Sequence, residues 1–229
     1  MKRKVLFVFA LIATLFSVSC SQEDDIRYSC DEAVDSWVKR KLPEIRSMSR
    51  EQWKELDPDI GLAAYRAFTP EQRIEFWKEK FAEVKALPWT EEELLHIQQA
   101  EDYTFSCGFL SLDRELTDKE KDELNLFFYK WAKFAEKDLG WEPQLIYAIV
   151  ASGYSLNEEK TGLSMNNTFS SKRILSPTKE NYGNCNCNST SIIECGGTLS
   201  HDCRNLPCNT SRWGCGVLWM FSCDGFCLF

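Results

Sequence analysis

Thr117-Asp118-Lys119-Glu120-Lys121-Asp122-Glu123-Leu124-Asn125-Leu126-Phe127-Phe128-Tyr129-Lys130-Trp131-Ala132-Lys133-Phe134-Ala135-Glu136-Lys137-Asp138-Leu139 is the stretch that decides the fold class. Thr117 followed three residues later by Glu120 forms a capping box, in which each side chain accepts from the other residue's backbone N–H. Leu124, Phe127, Phe128, Trp131, Phe134 and Leu139 then recur at three- and four-residue spacing, the period of one face of an α-helix. Gly140 and Pro143 interrupt the pattern, and a last apolar helix is expected over 141–151.

Three further boxes lie upstream, at Ser49-Arg50-Glu51-Gln52, Thr69-Pro70-Glu71-Gln72 and Thr90-Glu91-Glu92-Glu93. Pro70 occupies the first helical position, where its missing N–H costs no hydrogen bond. Ile74, Trp77, Phe81 and Val84 follow Thr69 at helical spacing. Such an aromatic stripe is ordinary helix–helix core, so no ligand pocket is read from it. The starts are unequally spaced, which argues against a repeat.

The end of the chain has the opposite character. Cys185, Cys187, Cys195, Cys203, Cys208, Cys215, Cys223 and Cys227 fall within the last 45 residues, against three cysteines in everything before. A segment so short buries too little apolar surface to fold alone and ordinarily needs covalent staples. Staples imply an oxidising compartment. All eight are expected in disulfides, and eight cysteines admit about 105 pairings, among which spacing does not choose. Val217 to Phe221 is β-prone, with Asp224-Gly225 beyond it as a tight turn.

The N-terminus supplies an export route. Lys2, Arg3 and Lys4 precede an apolar stretch too short to span a bilayer, and small residues precede Cys20, as at the lipid-accepting cysteine of bacterial lipoproteins. Ser21-Gln22-Glu23-Asp24-Asp25 resembles a surface-export tether. The expected organisation is a signal peptide over 1–19, a tether over 20–30 and an α-helical domain over 31–154. A linker over 155–183 and a cysteine-rich module with short β structure over 184–229 follow. Cys30 and Cys107, outside the tail and the lipid site, are candidates to bridge the first and fourth helical segments.

The formal net charge is −8; the leader carries three positive charges and residues 181–229 a net −1, which leaves −10 on the middle. A middle so acidic excludes nucleic-acid phosphates as its partner. A catalytic role is also not expected. There are only two histidines, His96 and His201, and no metalloprotease, nucleophile-elbow or phosphate-loop motif. No cofactor is expected. A zinc module is disfavoured, because Cys203-x4-Cys208 and Cys223-x3-Cys227 fit thiolate spacing loosely and Cys185-x-Cys187 does not fit.

The run Gly214-Cys215-Gly216-Val217-Leu218-Trp219-Met220-Phe221-Ser222-Cys223-Asp224-Gly225-Phe226-Cys227, preceded by Asn184-Cys185-Asn186-Cys187, resembles the C-terminal signature of the fulvocin C-related bacteriocins. That resemblance covers about one fifth of the chain and implies a small antibacterial module carried behind a longer helical region. Taken with the leader and Cys20, which set this chain apart from the short mature bacteriocin, it leads to an exported, lipid-anchored precursor with a bacterial membrane, a target-cell membrane or receptor, and a processing protease as partners. Trp213, Leu218, Trp219, Phe221 and Phe226 are the candidates for target contact. The competing expectation is an intact surface lipoprotein whose stapled tail binds protein or glycan, since cross-linked loops lose little entropy on association.

Overall fold

The computed structural model describes residues 26–164, 185–198, 203–205, 210 and 213–227. Among them it is mainly helical, with seven α-helices and a small region of short strands at the C-terminal end. The helices are α1 (Glu32–Ile45), α2 (Arg50–Lys54), α3 (Pro58–Arg66), α4 (Pro70–Lys85), α5 (Glu91–Ser106), α6 (Asp118–Lys137) and α7 (Pro143–Val150). A 3-10 turn at Phe109–Ser111 joins α5 to α6. All four expected capping boxes form, on Ser49, Thr69, Thr90 and Thr117. α1 and α3 start instead on Asp31 and Asp57, whose carboxylates accept from the first helical N–H groups.

Two antiparallel pairs make up the β structure. β1 (Ile193–Glu194) pairs with β2 (Gly197–Thr198), and β3 (Cys203–Asn205) pairs with β4 (Gly225–Cys227). The β-prone stretch at Val217 does not become a strand. Val217–Trp219 is a 3-10 turn in which Leu218 and Trp219 both have φ of 53°. Asp224-Gly225 is not a turn either, because Gly225 begins β4. Tertiary packing decides here, since the side chains that favour strands are the ones the helices bury.

The apolar core is continuous. One cluster runs from Val38, Trp53 and Phe81 in the helices to Trp213, Val217, Leu218 and Phe221 in the tail, each at most 1% exposed. The cysteine-rich region thus shares its aromatic side chains with the helical core, beside a smaller buried cluster of Cys185, Cys215 and Cys223 against which Cys30 and Leu62 pack. Leu156, inside the expected linker, is also buried and forms a β-bridge with Leu163. The rest of that linker, residues 165–183, lies outside the described residues, as do the expected leader over 1–19, Cys20 and Cys208.

Candidate functional site

The tail seats on α2, α3 and α4. Trp219 enters between their aromatic side chains, with ring centroids 4.8 Å from Tyr65, 5.4 Å from Trp53, 5.8 Å from Phe76 and 6.2 Å from Trp77. Most of these contacts are edge-to-face, the arrangement that ring quadrupoles favour. Its indole N–H donates to the Ala151 carbonyl at 3.0 Å, at the end of α7. Gly216, at φ of 70°, lets the turn pack closely on Phe221 and Ser191; a Cβ there would lie 2.5 Å from Phe221.

Arg66, the last residue of α3, binds the tail's backbone. Its guanidinium donates to the carbonyls of Tyr28 (2.6 Å), Trp213 (3.2 Å) and Cys185 (3.0 Å) and to the Cys223 sulfur (3.0 Å). One side chain thus joins the N-terminal segment, α3 and two parts of the tail. Burial holds its pKa down to about 10, because the interior disfavours the charge. Arg73 of α4 lies 4.4 Å over the Trp213 ring and donates to the carbonyls of Phe68, Leu110 and Leu112. A cavity of about 460 Å³ opens beside these groups, lined in part by Tyr28, Arg66, Arg73 and Trp213.

Sequence reasoning missed both arginines. Their signal was a charged residue in core-facing register: Arg66 directly after Ala63, Ala64 and Tyr65, and Arg73 three residues before Phe76. At 3% and 1% exposure, each is buried by backbone carbonyls and aromatic rings.

Three disulfides form among the described tail residues: Cys187–Cys203, Cys195–Cys227 and Cys215–Cys223. One expectation is corrected. Cys107 takes no part in a disulfide, so it does not bridge to Cys30; its thiol lies 3.4 Å from the Thr104 carbonyl. Cys30 is disulfide-bonded and packs beside the tail, its sulfur 3.5 Å from that of Cys185. The N-terminal segment reaches the tail and not the end of α5. Cys185 is in none of the three tail disulfides; burial pushes its thiol up to about 11.

The five target-contact candidates are also redistributed. Trp213, Leu218 and Phe221 are at most 1% exposed and Trp219 is 6% exposed, so in this conformation they contact the helices and no external surface. Phe226 alone is half-buried, on β4. Among the described residues, the large apolar side chains that do face outwards are Leu94 and Leu95 on α5 and Leu126, Tyr129 and Phe134 on α6.

Two ionisable groups are held away from their ordinary behaviour. Glu194 is buried in the tail, and burial pushes its carboxyl up to about 8, against the opposing effect of N–H groups from Asn188, Gly216 and Cys195. His96 stacks 4.7 Å from Trp131 and hydrogen-bonds the Trp131 carbonyl, while the Trp131 indole donates to the carbonyl of His96. Burial lowers its pKa, against the opposing effect of its hydrogen bonds to the Trp131 carbonyl and the Gln99 side chain.

Comparison of the chain with protein-family models, with curated proteins and with solved structures finds no match. The disulfides fit an extracellular protein, and among the described residues no helix is long and apolar enough to cross a membrane.

Proposed function

We propose that the chain is an exported, Cys20-anchored bacteriocin-type protein of the fulvocin C-related kind, in which the helical region keeps the active tail covered. The observation that carries this reading is the burial of Trp213, Leu218, Trp219 and Phe221 among the helices. These side chains belong to or adjoin the signature run, and they are the ones a membrane or receptor would engage. Trp in particular suits a water–lipid boundary, having an apolar ring and an N–H that needs a partner. Covering them removes that capacity until the tail separates from α2, α3 and α4.

Cutting the chain is not enough for separation. The Arg66 hydrogen bonds and the Trp219 contacts cross between the two parts without depending on the chain between them. Activation therefore takes at least two steps, proteolysis and then extraction by something that binds the tail better than the helices do, and any disulfide that ties Cys30 to the tail has to open as well.

A second reading is favoured by the same continuity of the core. A tail that completes the helical core belongs to an intact surface lipoprotein, one that binds protein or glycan without being processed. Intact mass analysis of cell-bound and released protein, with and without reduction, separates the two. The bacteriocin reading predicts a released tail fragment that inhibits a susceptible bacterium and gains at least about 6 Da on reduction, two hydrogens for each of the three disulfides among the described residues and for any other it holds. Full-length protein alone on the cells, with no inhibitory fragment in the medium, supports the intact lipoprotein and contradicts the bacteriocin.

A further inference from the structure

Two of the tail disulfides share one small volume. The sulfurs of Cys187, Cys195 and Cys227 lie within 4.8 Å of one another, and that of Cys203 is bonded to Cys187. Four sulfurs from four separate segments thus converge. The edge of a zinc–tetrathiolate tetrahedron is ~3.8 Å, for a metal–sulfur distance of about 2.3 Å. Cys195 and Cys227 are bonded to each other and the Cys187 sulfur lies within 4.8 Å of both, so opening the two disulfides lets the sulfurs spread to that spacing.

Backbone pairing holds the four residues in place independently of the sulfur–sulfur bonds. Cys203 and Cys227 are register partners on β3 and β4. Cys187 bridges to Gly225, giving and accepting backbone hydrogen bonds with it. Cys195 sits at the apex of the two-residue turn joining β1 to β2, at φ of 51°, followed by Gly196 at 77°. Positive φ at both positions is what such a hairpin turn demands, and it is an uncommon conformation for a cysteine. Gly225 has no room for a side chain, since a Cβ there would lie 2.5 Å from the Cys203 sulfur. The backbone is shaped around this cluster.

From this geometry we infer that the reduced tail binds one thiophilic divalent cation, of the Zn²⁺ class, through Cys187, Cys195, Cys203 and Cys227. A dithiol reductant opens the two bonds. Each disulfide takes up two electrons and two protons, and two equivalents of dithiol become disulfide. Metal binding then releases the four thiol protons, leaving a tetrathiolate complex. The pairs disfavoured on sequence spacing, Cys203 with Cys208 and Cys223 with Cys227, are not the ones used. The ligands come from a hairpin apex, two paired strands and the segment bridged to them, which adjacency in sequence does not reveal.

The full chain, reduced with a phosphine under nitrogen and freed of reductant, is titrated with Co²⁺. The expected result is one Co²⁺ per chain, with sulfur-to-cobalt charge transfer in the near ultraviolet and the visible bands of tetrahedral cobalt, all displaced by Zn²⁺. Alkylation of the Zn²⁺-loaded wild-type chain then reads out the ligands without any substitution. Cys187, Cys195, Cys203 and Cys227 are protected at least tenfold relative to the same four in the metal-free reduced chain, and Cys107 reacts equally in both. Absence of bound Co²⁺ overturns the inference. So does protection of a different set, such as the neighbouring Cys185, Cys215 and Cys223, or a reduced chain whose tail does not refold on adding metal.

Discussion

At the scale of single residues, Glu194 makes the fold sensitive to pH in an unusual direction. Its carboxyl is pushed up from 4.5 to about 8 in the folded chain, chiefly by burial. Between those values the folded state keeps a proton that the unfolded state has lost. Glu194 therefore contributes stability that is fully present below about pH 4.5 and disappears as pH rises through about 8. His96, with its pKa lowered by burial, acts in the opposite sense, its contribution being lost as pH falls below 6.5. Glu194→Gln isolates the first effect, since the amide oxygen still accepts from the Asn188 N–H at the position of Oε1. Urea midpoints from pH 4.5 to 8.5 are expected to show wild type losing stability relative to Glu194→Gln as pH rises. A pH-independent difference would mean that Glu194 is ionised throughout.

At the scale of elements, the helices were legible because their signals are local. A capping box needs four residues and a helical stripe about twelve, and every expected box forms. The 3-10 turn at Val217–Trp219 was not legible, because its conformation is decided by residues far away in sequence. Trp219 adopts φ of 53° while its ring packs on Trp53 and Tyr65. Disulfide pairing escaped for a related reason. Cys203 and Cys227 face each other across two strands, yet each bonds to a third segment. Spacing along the chain carries no trace of that choice.

The same turn supplies a direct energetic test of the junction. Trp219→Ala removes a large side chain from the aromatic cluster and leaves the Ala151 carbonyl without its donor. Truncating a buried Trp typically costs about 3–5 kcal/mol. Chemical denaturation followed by far-ultraviolet circular dichroism is expected to register that full cost in the helical signal, although the substitution lies in the tail. Helices that melt unchanged while only the tail loosens would show that the junction carries little energy.

At the scale of the whole molecule, two regions of opposite composition share one core. The cysteine density pointed correctly to staples, three of which form in the described tail. It did not show that the stapled segment fills a gap among the helices, with Arg66 bonded to two of its carbonyls and Trp219 at the centre of an aromatic cluster. A small cross-linked unit with a core of its own would keep its aromatic residues to itself. Here they are given to the helices, and that arrangement makes the covered tail physically reasonable. The cost of uncovering it is the cost of opening the main core.

Native-state hydrogen exchange read by mass spectrometry tests this most directly. Amides in the segment 213–221 and those in the middle of α4 are predicted to open with the same free energy and the same dependence on denaturant, as parts of one cooperative unit. Exchange of 213–221 by a separate opening, orders of magnitude faster than α4, would contradict the shared core and with it the covered tail.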